Sequence, residues 1–276
     1  MGLRGLDWRR GPVDGPVLVS GREQPCESGL VRADEAIVTP TSHVASDVLT
    51  PELPALASRL LSQHLSLGCS TGFMFEHRND WERLVEEAAA VSSMAVELSA
   101  VSAPELPGLL EYLCAAPRLP FLFMSVHAPS KGSDSDERRL IDDLRRVPAW
   151  VDAIVLHPDT ISDPALYRPL GRRLALENMD TRKRSGQTAD DLDRLFAELP
   201  DARFCLDVAH AKDVDSTMAV ADELLRRFSS RLSHVHVSSL DDSQHHVSLT
   251  LEDEALFTPL LSRCRDVPWI LEAPPS

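Results

Sequence analysis

What most constrains this chain is a repeated pattern, a short apolar run that ends in His, Glu or Asp. It is plainest at Arg203–Ala211. Phe204-Cys205-Leu206 has the character of a buried strand, and it delivers Asp207 and then His210 where such a strand would end. A carboxylate and an imidazole at that spacing can converge on one metal ion. Alone, the pair reads as readily as a helix N-cap or as satisfied loop residues. The repetition changes this. Met94–Leu98 carries Glu97 near its end, Phe121–Val126 is followed by His127, and Val151–Leu156 is followed by His157. Arg173–Leu176 leads to Glu177, Leu232–Val237 carries His234 and His236, and Trp269-Ile-Leu leads to Glu272. Ser66–Phe75 is a further run, in which Gly68 and Gly72 permit close backbone approach.

Between the runs the apolar period becomes helical. Asn79 and Glu82 read as a capping box ahead of a stripe of Trp81, Leu84, Val85 and Ala88. Further helices are expected over Leu106–Leu113, Glu137–Val147, Pro164–Leu170, the segment capped by Thr188, Met218–Phe228 and Asp253–Cys264. Strands alternating with helices favour a parallel sheet, and eight such units favour a closed (β/α)8 barrel. The absence of a glycine-rich dinucleotide fingerprint after the first strand weakens the open doubly wound alternative. Only Ala273–Ser276 follow Glu272, so no eighth outer helix is expected. A helix over Leu53–Gln63, begun by Thr50-Pro51, is expected to cover the seam between the last strand and the first. Residues 1–49 show no period and read as an irregular N-terminal extension, leaving 50–276 for the barrel.

In such a barrel the C-terminal strand ends share one mouth. Glu97, His127, His157, Glu177, Asp207, His210, His236, His245 and Glu272 would gather there. Crowded carboxylates repel one another and raise their own pKa values, and divalent cations remove that cost. Mixed oxygen and imidazole donors suit Zn, Mn, Fe or Co. The lack of Cys at strand ends argues against a closed structural zinc site. His234 is expected to face the helices, Glu97 to pair with a neighbouring cation, and His246 to be solvated. The chain has 28 basic and 43 acidic residues, a net charge of -15. Such a field repels polyanions, so weak or no nucleic-acid binding is expected. Five scattered cysteines without CxxC spacing and no signal-like or membrane-spanning apolar stretch point to a cytoplasmic chain with reduced thiols.

The motifs Ser125-Val-His-Ala-Pro129, Leu156-His-Pro158, Glu177-Asn178, Cys205-Leu-Asp-Val-Ala-His210, His236-Val-Ser-Ser, His245-His246 and Leu271-Glu-Ala-Pro274 resemble the endonuclease IV (AP endonuclease family 2) branch of the xylose isomerase-like TIM barrels. The resemblance runs from about Ser66 to Pro274. It implies a trinuclear site. His127, His157 and Glu177 would hold one ion, with Glu177, Asp207, His236 and Glu272 holding a second. His210 and His245 would hold a third. The branch places an Asp two residues before that last His, where this chain has Ser243, with Asp242 one step further away. The third ion is therefore expected to be weak or absent. Ser130 stands where the branch has a bulky aromatic, and basic DNA-gripping loops are not evident. The wider superfamily includes sugar and sugar-phosphate isomerases and epimerases, which resemble this chain at Glu177, Asp207, His236 and Glu272 and use one ion.

Two enzymatic readings follow. One is a phosphoester hydrolase using two or three Zn or Mn ions on a small phosphorylated substrate. The other is a single-metal sugar or sugar-phosphate isomerase in which Glu177 and Glu272 move a proton. A noncatalytic metal- or ligand-binding barrel is a third. Lys131 and the run Arg182-Lys183-Arg184 are candidate substrate-phosphate contacts. The same run reads equally as a solvated cluster offsetting Asp180, Asp190 and Asp191.

Overall fold

A computed structural model describes residues 61, 64–115, 119–130 and 137–275. The N-terminal extension, Lys131 and most of the Leu53–Gln63 segment lie outside the described residues. Eight parallel strands close into a barrel: β1 Leu67–Ser70, β2 Ala95–Ser99, β3 Phe123–His127, β4 Ala153–Leu156, β5 Leu174–Glu177, β6 Arg203–Asp207, β7 Leu232–Val237 and β10 Trp269–Leu271. A two-stranded antiparallel hairpin, β8 Ser239–Leu240 with β9 His246–Val247, stands above β7. The chain is a TIM barrel, as the alternation implies.

Alternation along each strand sorts side chains into two populations. Those facing outward pack against apolar helix faces such as Leu84, Val85 and Ala88 of Trp81–Val91, or Leu224, Leu225 and Phe228 of Ala219–Phe228. The inward set includes an apolar floor of Ala153, Val155, Ala175 and Cys205, against which Phe123 packs. Polar residues lie above that floor and the functional strand ends above those. β6 and β7 shift register between Phe204 and Cys205, and this shift sets Cys205 opposite His234 and Asp207 opposite His236. Because a one-residue slip turns side chains to the other face, the shift decides what points inward.

Several boundaries differ from the sequence reading. The first apolar run is a strand only through Ser70 and then turns through Thr71–Phe73 and Phe75–His77. Asp80, whose side chain accepts from Arg83 N, caps the next helix in place of the expected Asn79. The residue His210 is helical: Val208–Val214 begins directly after β6 with Asp207 as its N-cap. Beyond β10 the chain runs through Glu272–Pro275 without a further helix. His64 stacks on Trp269 with ring centroids 3.9 Å apart, which ties the chain before β1 to the last strand.

Gly68 is the tightest point of the barrel wall, since a Cβ there would lie 2.1 Å from the Ala95 carbonyl oxygen. Gly68→Ala should part β1 from β2 and cost about 1–3 kcal/mol or more. A urea denaturation midpoint equal to wild type would show that the strands can give way.

Candidate metal centre

Glu177, the last residue of β5, is 1% exposed and sits at the centre of the mouth. Its two oxygens face different partners. Oε2 lies 3.2 Å from His127 Nε2 and 3.3 Å from His157 Nε2. Oε1 lies 3.2 Å from His236 Nδ1 and 3.4 Å from His210 Nδ1. Burial alone would raise the pKa of this carboxyl, but His236, His127 and His157 hold it well below the usual range. His127 donates Nδ1–H to its neighbour's carbonyl, Ala128 O, at 2.8 Å. With Nδ1–H committed there, Nε2 is the nitrogen that faces Glu177 and the one that would ligate an ion on losing its proton.

Asp207 serves two purposes with two oxygens. Oδ1 accepts from His210 N at 2.7 Å and caps the helix. Oδ2 is buried with no hydrogen-bond partner. The capping and ligand readings are thus compatible. Asn178 fixes the pair: its side chain donates to Asp207 O and accepts from Asp207 N, both at 2.8 Å, and its carbonyl accepts from His210 Nδ1 at 3.0 Å. Only the motif, with no role attached, marked Asn178 in the sequence.

Glu272 follows β10, and its Oε1 lies 3.2 Å from the same His236 Nδ1 that faces Glu177. Its Oε2 has no hydrogen bond, although His246 Nδ1 lies 3.3 Å away. Burial raises the Glu272 pKa; His236 opposes this, but the Asp207 and Glu177 charges reinforce it, leaving the carboxyl well above its ordinary value. Burial disfavours a charged His236, yet Cys205, Glu272, Glu97 and Glu177 raise its pKa well above ordinary. One carboxyl, Glu272, held protonated by burial and its acidic neighbours, together with orphaned oxygens and converging imidazoles, makes a donor set that suits a divalent cation. Among the described residues, four groups bring ligand atoms close enough to share an ion: His127, His157 and Glu177; Glu177, Asp207, His236 and Glu272; Asp207, His210 and His246; and, wholly buried, Cys205, His234 and His236. These residues fit the ions that the sequence implied.

Two expectations need correction. His245 is not brought into the mouth: its side chain is 75% exposed and its backbone N donates to Asp241 Oδ1. His246, expected to be solvated, opens β9 and turns inward, with Nδ1 2.7 Å from Ser238 Oγ. Burial is the main cause that lowers its pKa to about 4, keeping the ring neutral. The cause is the hairpin, whose alternation sends adjacent histidines to opposite sides, a feature that the bare His-His pair does not reveal. His234 also differs. Residues two apart on a strand share a face, so it lies inside the barrel with His236, fully buried, its ring centroid 5.2 Å from that of His236.

The loop after β5 folds over the rim. Met179 N donates to Gly186 O, and Gly186 has φ 88°, where a Cβ would press on Met179 and Pro158. Asp180, almost fully buried, accepts from Arg182 Nε at 3.1 Å and lies 3.7 Å from His210 Nε2. Lys183 Nζ lies 3.2 Å from Asp159 Oδ2, whose other oxygen is 4.0 Å from His157 Nδ1. Arg182 and Lys183 thus offset acids beside the site, while Arg184 is exposed. Glu97 is wholly buried below the mouth, with Oε2 3.2 Å from His236 Nε2.

No protein-family model matches the sequence, and no curated protein does. Among solved structures, one described as the crystal structure of AsfvAP:AG covers 76% of this chain and 92% of that chain, at 10% identity and a TM-score of 0.44. That likeness is too distant to carry a function across. Among the described residues, no helix is long and apolar enough to cross a membrane.

Two outcomes are expected. His246→Ala should lower bound metal per chain, and His245→Ala should not, by elemental analysis of the purified variants. The opposite pattern would return His245 to the ligand set. Metal uptake should also release protons, because Glu272 and His236 are both raised in pKa and must lose protons to become ligands. Apparent affinity should rise with pH and be lost as pH falls through those raised values. Calorimetric titration with Zn²⁺ in buffers of different ionisation enthalpy measures the release, and zero protons would contradict the assignment.

Proposed function

We propose that this chain is a divalent-metal-dependent phosphoester hydrolase with a multinuclear centre in the barrel mouth. The observation that carries the reading is the division of Glu177, with one oxygen between His127 and His157 and the other against His236. A carboxylate so placed could offer one oxygen to each of two ions. When bound, such ions activate water as a nucleophile and stabilise charge on phosphoryl oxygens. Glu272, raised in pKa by burial and by the charges of Asp207 and Glu177 against the opposing His236, is the mouth's proton-holding group. Its Oε2 has no hydrogen-bond partner and is free to act as a ligand atom once that proton is lost. Arg182 and Lys183 can turn from their acid partners toward a substrate phosphate.

The isomerase reading uses only Glu177, Asp207, His236 and Glu272. It leaves His127 and His157 with no task, although both rings point at one carboxylate oxygen of the bridging residue. The proposed substrate is a small phosphorylated molecule. The acidic chain gives little attraction to duplex DNA at physiological salt.

Elemental analysis should find at least two ions per chain, and hydrolysis should appear in assays of small phosphomonoesters or phosphodiesters, with abasic DNA as the comparison substrate. Glu177→Gln should lose most of the metal and nearly all of the activity. One ion per chain with turnover of ketose or aldose phosphates would replace the hydrolase with the isomerase. Full metal content in Glu177→Gln would remove the bridge.

A further inference from the structure

Beneath the mouth lies a charge that the ligand sets do not use. Glu97 on β2 is 0% exposed, with Val96 and Leu98 beside it packed outward among the helices. An ionised carboxylate in a barrel interior costs several kcal/mol unless it is well paired, and an apolar residue could fill the space. Its Oε2 accepts from Ser125 Oγ at 2.9 Å, lies 3.2 Å from His236 Nε2 and 3.6 Å from His234 Nε2. Its Oε1 has no partner.

The outer nitrogens of the ligand histidines are held in different ways. His127 and His210 donate Nδ1–H to neutral backbone carbonyls, Ala128 O and Asn178 O. His157 Nδ1 has no hydrogen bond. His236 is turned round: its Nε2 faces the Glu97 carboxylate, and its Nδ1 faces Glu177 Oε1 and Glu272 Oε1 at 3.2 Å each. A proton on Nδ1 would block that nitrogen as a ligand. A carboxylate at Nε2 draws the proton to the other side and makes the ring a stronger donor.

We infer that Glu97 is a positioning residue, which fixes His236 as an Nδ1 ligand and makes the Glu177–Asp207–His236–Glu272 cluster the tightest cation site of the mouth. This inference rests on the metal reading above. Of the four ligand groups, this one has the most carboxylates and a histidine backed by a full negative charge. The group of His127 and His157 has one carboxylate and no charged backing within hydrogen-bond distance.

The test is titration of the full-length chain, stripped of metal by chelator, with Co²⁺, followed by its visible absorption. Wild type should show a tight phase and a weaker one. His157→Ala, which removes a ligand of the first group only, should abolish the weaker phase and thereby identify it. Glu97→Gln should weaken the tight phase about 10–100-fold, change its spectrum and spare the other phase. Ser125→Ala, which removes only the hydroxyl donor to Glu97, should weaken the same phase to a smaller degree, and it stands in if Glu97→Gln does not fold. Glu97→Asp should recover part of the affinity. Unchanged phases in Glu97→Gln, or equal weakening of both, overturn the inference while leaving the metal centre intact. A wild type that takes up no Co²⁺ overturns the metal reading itself and this inference with it.

Discussion

The mouth of this barrel depends on one buried carboxylate, Glu177, ringed by imidazoles. An ionised group at 1% exposure survives only where partners replace water, and here they come from β3, the turn after β4, β7 and the helix after β6. No two of these four histidines share a strand. The attraction between Glu177 and its neighbours therefore acts across several elements of the barrel, each of which delivers its ring to the same place.

Local structure supports that convergence economically. Asp207 ends β6 and starts a helix, so one oxygen satisfies the backbone while the other is left toward the centre. Asn178 locks the adjacent strand end to Asp207 by two reciprocal hydrogen bonds and gives His210 its backbone acceptor. The ligands are thereby held by main-chain geometry at the ends of rigid strands. The charged side chains of the rim loop are committed to nearby acids instead, Arg182 to Asp180 and Lys183 to Asp159.

Much of this was legible before the structure. Strand ends that carry His127, His157, Glu177, Asp207 and His236 follow from the coincidence of an apolar run and a terminal polar residue, and closure follows from the count of such runs. What escaped was set by less local facts. The inward turn of His246 depends on a two-stranded hairpin whose strands are two residues each, too short to leave a period. The place of His234 depends on the shared face of residues two apart and on the register shift opposite it in β6. The role of Asn178 lies in backbone contacts made 29 residues away, which no spacing encodes. The helical state of His210 was hidden because an Asp at a strand end serves equally as a cap and as a ligand.

The balance of charge gives the mouth its thermodynamic character. Glu177, Asp207 and Glu272 share one small volume, with Glu97 one layer below, and the barrel floor beneath them is apolar. The histidines answer part of this charge by holding protons, as the raised pKa values of His127 and His236 show, but burial works against each of them first. Glu272 answers the rest by staying protonated, a response that forfeits its use as a ligand. A cation would do what these protons do with more charge shared among several donors at once, and it would also satisfy the orphaned oxygens of Asp207 and Glu272. The unfolded chain scatters these groups and offers no such site. Affinity for an ion is then affinity for the folded barrel, and the repulsion among crowded carboxylates becomes driving force for binding.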